Sequence, residues 1–161
     1  MPVRVAGIME TEIMLVQVAE NTKRRAVRKL HEKALEIAAL ARKYAPIDEG
    51  NLEKAIKVYP ETIGERLRNE AGQFVRQEVF VYVDTDMPVP ERPGETVGKY
   101  AYTMHEHLTP FGPLNLGELS AAKQSGQREM VGGKYLERAM TEVGDSVLGE
   151  VSLSIMNRFD Y

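Results

Sequence analysis

Residues 27–59 read VRKLHEKALEIAALARKYAPIDEGNLEKAIKVY and place three structural signals in succession. Apolar residues in the first part recur at spacings of three and four, the pattern of a helix with one buried face. They are Val27, Leu30, Ala34, Ile37, Ala41 and Tyr44. Neither proline nor glycine occurs between Glu10 and Tyr44, so one long helix is predicted over that range. It ends at Ala45, because the residue before a proline is displaced from the helical region.

The length of this helix bears on how its first part packs. From Glu10 to Tyr44 it is roughly 50 Å long at 1.5 Å per residue, whereas a compact chain of this size has a radius of gyration of about 15 Å. Either the helix breaks at Asn21 and Thr22, which prefer helix caps, or its first part projects and packs on another subunit. Residues 1–21 are accordingly predicted to form an N-terminal extension.

A structural turn is predicted directly after the helix. Pro46 starts it, Asp48 is suited to accept hydrogen bonds from the backbone, and Gly50 is free to adopt a positive φ. Leu52 then returns the chain to the core. The turn therefore joins the long helix to the strand predicted at residues 55–59.

Alternating apolar and polar residues predict a strand at residues 55–59. A second strand is predicted at residues 75–84, where the valines at 79, 81 and 83 point one way and the aromatic residues at 80 and 82 point the other. Residues 100–108 fit either a short helix or a strand. From Lys134 the apolar spacing returns to that of a helix, which runs nearly to the last residue. The sequence thus predicts a single α+β domain over residues 1–161, with a long N-terminal helix, a small antiparallel β-sheet with extended loops, and a C-terminal helix.

Two further stretches, residues 84–99 and 109–133, are rich in proline and glycine. Such composition disfavours both helix and central strand. Long connections in compact domains are usually functional or mobile. Both stretches are therefore predicted to be extended arms.

The charge balance and the absence of cysteine exclude several classes of function. The chain has 21 Lys plus Arg against 24 Asp plus Glu, a net charge of -3, which argues against a protein devoted to neutralising phosphates. Without cysteine there is no disulfide, thiolate zinc site or thiol nucleophile. The apolar run at residues 13–16 is too short to span a membrane. We expect the chain to be made and kept in the cytosol, unless assembly carries it elsewhere, with no membrane partner.

No constellation of residues predicts an enzyme, and none is predicted to bind a cofactor or a metal. His105 and His107 lack a third ligand at zinc spacing, so a metal-dependent hydrolase built on them ranks last among the alternatives. His31 is expected to be solvated among charged neighbours.

One function that the sequence leaves open is that of a small DNA-binding regulator that uses the basic helix around Arg24–Lys29. The basic residues of this helix are Lys23, Arg24, Arg25, Arg28 and Lys29. A solvated helix face, balanced by nearby glutamates, is favoured over this alternative because the chain has no net basic field.

Three motifs, taken in order, resemble one family. An Ala-Pro-x-Asp-x-Gly-x-Leu turn follows the long helix and precedes a strand, at Ala45, Pro46, Asp48, Gly50 and Leu52. A Tyr-Ala-x-x-x-Glu type of segment comes next, at Tyr100, Ala101 and Glu106. A Tyr-Leu-x-x-Ala start to the last helix follows, at Tyr135, Leu136 and Ala139. This order is similar to that of tailed-bacteriophage minor capsid, neck, head-to-tail joining or tail-completion proteins. Glu49, where that family often has Thr, and His107, where a Gly often follows the Glu, depart from the pattern.

The resemblance implies a non-enzymatic structural protein of the virion, assembled in the host bacterial cytoplasm. It implies a homo-oligomeric ring of six or twelve copies at the head-tail interface, between portal-side, neck and tail proteins. DNA would pass through the ring without sequence-specific binding, which a mildly acidic channel wall favours. Carboxylates placed by their loop as lumen-facing are Asp84, Asp86, Glu91 and Glu95. Apolar residues of the loops expected to be poorly covered and to form the oligomer interface are Met87, Val89, Leu108, Phe111, Leu114 and Leu116. Tyr135, at the start of the last helix, is also assigned to the interface.

Overall fold

The computed structural model describes residues 7–47, 49–61, 70–71, 76–106, 117–128 and 130–156, with the backbone alone at residues 7–15. The helices are α1 (Gly7–Tyr44), α2 (Asn51–Ala55), α3 (Gly98–Glu106), α4 (Glu118–Ser125) and α5 (Tyr135–Met156). The strands β1 (Ile56–Tyr59) and β2 (Phe80–Val83) pair antiparallel. The predicted α+β class is confirmed, and none of the described helices is long and apolar enough to cross a bilayer.

Helix α1 is continuous over 38 residues, or about 57 Å. The helix does not break at Thr22, whose hydroxyl donates a hydrogen bond to the carbonyl of Val18 at 2.8 Å and is satisfied inside the helix. Of the two alternatives left open by the sequence, the unbroken helix is the one observed. Its end at Tyr44, just before the Ala45-Pro46 pair, is where the sequence predicts it.

Helices α1 and α5 pack side by side in antiparallel orientation and supply half of the buried residues of the core. Near one end of the pair the Tyr44 hydroxyl donates to the Glu142 carboxylate, and near the other the Lys33 ammonium lies 2.6 Å from a Glu150 oxygen. Core side chains come from both helices, the sheet and the loops. The largest cluster includes Ala34, Ile37, Ala38, Ala41, Tyr44, Leu52, Ile56, Val58, Val97, Tyr135, Ala139 and Val143.

The turn after α1 is built as predicted at the residues that the structure describes. Gly50 has a φ of 77°, in the left-handed region that favours glycine. Leu52 is 3% exposed and enters the core, and Pro46 is buried. Asp48 lies outside the described residues. The short helix α2, not predicted, carries the chain from this turn directly into β1.

The sheet aligns Ile56 with Val83 and Tyr59 with Phe80. Strand β2 covers only residues 80–83 of the predicted 75–84, since residues 76–79 form no strand and residue 75 lies outside the described part. The predicted alternation is confirmed within β2. Its valines are half-buried, while Phe80 and Tyr82 are exposed.

The arm predicted at residues 84–99 is wrong, because this loop folds back on its own subunit. The Val97 amide donates to the Met87 carbonyl at 2.9 Å, and the Val89 amide donates to the Glu95 carbonyl at 3.0 Å. Val89 is 3% exposed and Val97 is fully buried. The prolines shape a closed loop whose valines fill the core, and α3 begins at its last residues.

The predicted arm at 109–133 is also wrong over its described residues, which include α4. The Ile47 amide donates to the Ser120 hydroxyl at 2.8 Å, and that hydroxyl donates to the Ile47 carbonyl at 2.6 Å. The Lys123 ammonium donates to the carbonyls of Arg42 and Ala45 and pairs with the Glu53 carboxylate. Helix α4 therefore caps the end of α1.

Gly98 is required where the loop meets α3, and we expect Gly98→Ala to be destabilising. A Cβ there would lie 2.8 Å from the Thr85 Cβ and 2.9 Å from its carbonyl oxygen. Such overpacking costs about 1–3 kcal/mol. Gly149→Ala is the control, because a Cβ at Gly149 meets nothing within 4 Å and alanine favours a helix. In urea denaturation, a Gly98→Ala midpoint at or above that of the wild type would contradict this reading.

Candidate assembly surface

An apolar groove runs between α1, β2 and α5 and encloses about 480 Å³. Its lining consists of Leu30, Lys33, Ala34, Ile37, Val79, Phe80, Val81, Leu136, Met140, Gly144, Val147 and Leu148. Several large apolar side chains along it face solvent: Phe80 is 48% exposed, Met140 64% and Leu148 79%. Exposed apolar patches of this kind mark binding surfaces.

The one charged residue in the lining of the apolar groove is already paired. The Lys33 ammonium lies 2.6 Å from Glu150 and 2.8 Å from Glu36, and its side chain is only 10% exposed. Its charge is therefore compensated within the subunit. The groove suits an uncharged, apolar occupant.

Glu150 also contacts Lys29 at 3.0 Å, so one carboxylate ties two turns of α1 to α5. The hydrogen bond from Lys33, followed by that from Lys29, lowers the pKa of the Glu150 carboxyl from its usual 4.5 to about 2. The folded state thus prefers the ionised carboxylate more strongly than the unfolded state does.

This preference predicts a pH-dependent difference in stability between the wild type and Glu150→Gln. A lowered carboxyl pKa stabilises the fold above pH 4.5, and this contribution is lost as the pH falls toward 2. The urea midpoint of the wild type should exceed that of Glu150→Gln at pH 7, and the gap should close near pH 2. A gap that stays constant from pH 7 to pH 2 would contradict the assignment.

Gly144 is a helical glycine that packing inside the subunit does not explain. It lines the apolar groove, and a Cβ built there meets nothing within 4 Å. Glycine weakens a helix by about 1 kcal/mol relative to alanine. The missing side chain leaves open space on the groove side of α5.

The first part of α1 extends beyond the end of α5. Because Glu150 contacts Lys29 and Lys33, Met156 is level with about residue 25 of the antiparallel α1. Residues 16–19 are all exposed, and among the described side chains of α1 the first buried one is Val27. We call residues 7–19 the overhang.

The sheet adds an exposed aromatic pair beside the apolar groove. Tyr59 and Phe80, opposite each other in the register, have ring centroids 6.3 Å apart and are 57% and 48% exposed. Tyr82, on the same strand, is 39% exposed. The uncovered apolar surface therefore continues from the groove onto the strands.

The predicted interface residues that the structure describes lie outside the lining of the groove. Val89 is 3% exposed and Tyr135 is 1% exposed, so the prediction that they face another copy is wrong for the folded subunit. Met87 is half-buried and packs against the core. The remaining predicted interface residues, Leu108, Phe111, Leu114 and Leu116, lie outside the described residues. The groove residues come from three segments that are distant in sequence, so local patterns do not predict them; the one local signal is the glycine at position 144 within a helical pattern.

Two of the four predicted lumen carboxylates hold the 84–99 loop in place. Asp84 lies 2.6 Å from the Lys57 ammonium, whose hydrogen bond lowers the pKa of Asp84. A Glu91 oxygen accepts a hydrogen bond from the Asn51 amide at 2.9 Å. Of the other two, Asp86 is exposed and Glu95 is partly exposed. Their placement on a channel wall stays a prediction.

The basic helix keeps only part of its charge available. Arg24 and Arg28 are exposed, whereas Lys29 pairs with Glu32 at 3.4 Å and with Glu150. DNA binding by this helix stays a prediction.

The histidines are arranged differently from what the sequence indicated. His31 is 8% exposed, not solvated, and its Nε2 donates to the Pro60 carbonyl at 2.9 Å. His105 lies on α3, where its Nδ1 donates to Glu106 and its ring meets the Tyr135 ring edge-on at 4.9 Å. His107 lies outside the described residues. Among those described, no three His, Asp or Glu residues form a group that could hold a metal.

Comparisons with protein-family models, with curated proteins and with solved structures found no match to this chain.

Proposed function

We propose that the chain is a structural subunit of a tailed-phage virion, in the neck, connector or tail-completion layer, and that it works by assembling into a homo-oligomeric ring. The observation that carries the proposal is the exposed apolar surface formed by the groove, the adjoining aromatic strand residues, and Val16 and Val18 of the overhang. A subunit with such a surface gains stability when a neighbour covers it.

The ordered motifs support the same proposal because they lie where elements join. The turn at Gly50 links α1 to the sheet, and Tyr135 starts α5 beside His105 of α3. Glu106 pairs with Lys134 at 2.6 Å and ties the end of α3 to the start of α5. These motifs thus build the scaffold that presents the groove. The neighbouring portal-side and tail proteins, and the passage of DNA, belong to the proposal through the resemblance.

Negative-stain electron microscopy tests the proposal with purified protein, alone and mixed with head and tail fractions of the cognate phage. Rings in the pure sample, or density added at the joining end of heads or tails, are expected. Bovine serum albumin at equal concentration controls for non-specific adsorption. Single particles that join neither fraction would contradict the proposal.

A further inference from the structure

We infer that the apolar groove of one subunit binds the overhang of a second copy, so that each copy donates a helix on one side and accepts one on the other. The inference rests on the proposed function for the identity of the partner, and it assigns the joint between neighbouring subunits to particular residues.

The first argument is the match in length. The overhang has 13 residues and measures about 20 Å. The α5 wall of the groove runs from Leu136 to Leu148, or about 18 Å. The overhang is therefore long enough to lie along this wall, and its uncharged residues 13–19 cover about 10 Å of it.

The second argument is the match in chemistry. Residues 13–19 of the overhang read IMLVQVA and carry no charge, and Val16 and Val18 are 38% and 41% exposed in the subunit. The groove is apolar, and the charge of Lys33 is compensated by Glu150 and Glu36. The uncharged residues 13–19 enter such a groove without leaving an unpaired charge behind, and Glu10 and Glu12 lie in the part of the overhang that precedes them.

The third argument is the space at Gly144. A helix that lies against α5 approaches its backbone closely only where the facing residue is small. Gly144 lines the middle of the α5 wall, and a side chain there would occupy open space that packing within the subunit does not use. A helix of a second copy, lying in the groove against α5, would explain why this residue is glycine.

The overhang and the apolar groove are different surfaces, so the contact is heterologous. A heterologous contact repeated by rotation gives a ring if the rotation closes, and an open filament if it does not. The joint therefore agrees with the symmetry of the proposed assembly.

Two full-length variants separate the two sides of the joint. Gly144→Leu fills the groove, and V16E/V18E places two charges on exposed positions of the overhang. Each variant is expected to be folded by circular dichroism and to need at least a tenfold higher concentration than the wild type to assemble. Gly149→Leu, on α5 but outside the groove lining, and V16L/V18L are the matched controls and should assemble like the wild type.

Mixing the two defective variants gives the sharpest test, with sedimentation velocity as the readout. Gly144→Leu still donates a normal overhang, and V16E/V18E still offers an open groove, so one joint forms per pair. The equimolar mixture should contain a heterodimer and no larger species. A mixture that stays monomeric, either variant assembling like the wild type, or a wild type that is itself monomeric would overturn the inference.

These outcomes also separate the inference from the proposed function. If both variants assemble normally and the wild type joins heads or tails, the joint is wrong and the function stands. If the variants and their mixture behave as expected but the wild type joins neither fraction, the joint stands and the virion function fails.

Discussion

Replacing Tyr135 by alanine is expected to lower the free energy of unfolding by about 3–5 kcal/mol, the range for removing a large buried aromatic side chain. Tyr135 is 1% exposed, and its burial raises the pKa of its hydroxyl to about 12. Its ring packs edge-on against His105 and belongs to the core shared by α1, α3 and α5. The cavity would therefore loosen the contact on which the orientation of α5 depends.

Tyr102→Ala is the matched control for this prediction. It removes the same side chain from α3, where Tyr102 is 70% exposed, and a loss below about 1 kcal/mol is expected. Both variants are compared in urea at low protein concentration, so that assembly does not contribute. Equal losses at the two tyrosines would contradict the placement of Tyr135 in the core.

Replacing Lys123 by methionine is expected to cost about 2–4 kcal/mol. Its ammonium donates to the Arg42 and Ala45 carbonyls at 2.5 and 2.7 Å and also pairs with the Glu53 carboxylate. The Lys123 side chain is 13% exposed. Removing the ammonium leaves two carbonyls at the end of α1 without a hydrogen-bond donor. Each unpaired carbonyl costs about 1–3 kcal/mol of stability when it is shielded from water. Methionine keeps most of the apolar stem, so the loss of stability reports on the ammonium group and its hydrogen bonds.

Lys54→Met serves as the control, because Lys54 is an exposed lysine of α2 near the same turn. A change within about 0.5 kcal/mol is expected there. Hydrogen exchange adds a second readout, since the amides of α4 should lose protection in Lys123→Met. If the urea midpoints of the two variants coincide, α4 does not cap α1 through Lys123.

The elements that the sequence predicts are those whose signal is local. The three-and-four spacing from Val27 to Tyr44 predicts the helix that is found, and the prolyl residue after Ala45 predicts its end. The left-handed conformation at Gly50 follows from the turn composition. These features depend on neighbours in the chain, so a single sequence carries them.

Helix α4 escapes prediction because it has almost no apolar face. Its buried residue is Ser120, and glycines flank it at 117 and 126, so its composition is typical of a loop. Its position depends on hydrogen bonds to the distant end of α1. The spacing of apolar residues within one segment carries no information about such long-range contacts.

The same limit explains the errors at His31, the 84–99 loop and the apolar groove. His31 has charged neighbours in sequence, yet Pro60 from the far end of β1 supplies its partner. Val89 stands between prolines, yet the core that covers it comes from other elements. The groove combines α1, β2 and α5, so its existence depends on how they pack.

Sedimentation velocity of the wild-type chain over a concentration series from about 1 to 100 μM tests the central claim most directly. The predicted result is a concentration-dependent transition from the 18.1 kDa chain to one closed species containing a whole number of copies. A single 18.1 kDa species at every concentration, with the groove and the overhang still facing water, would contradict it.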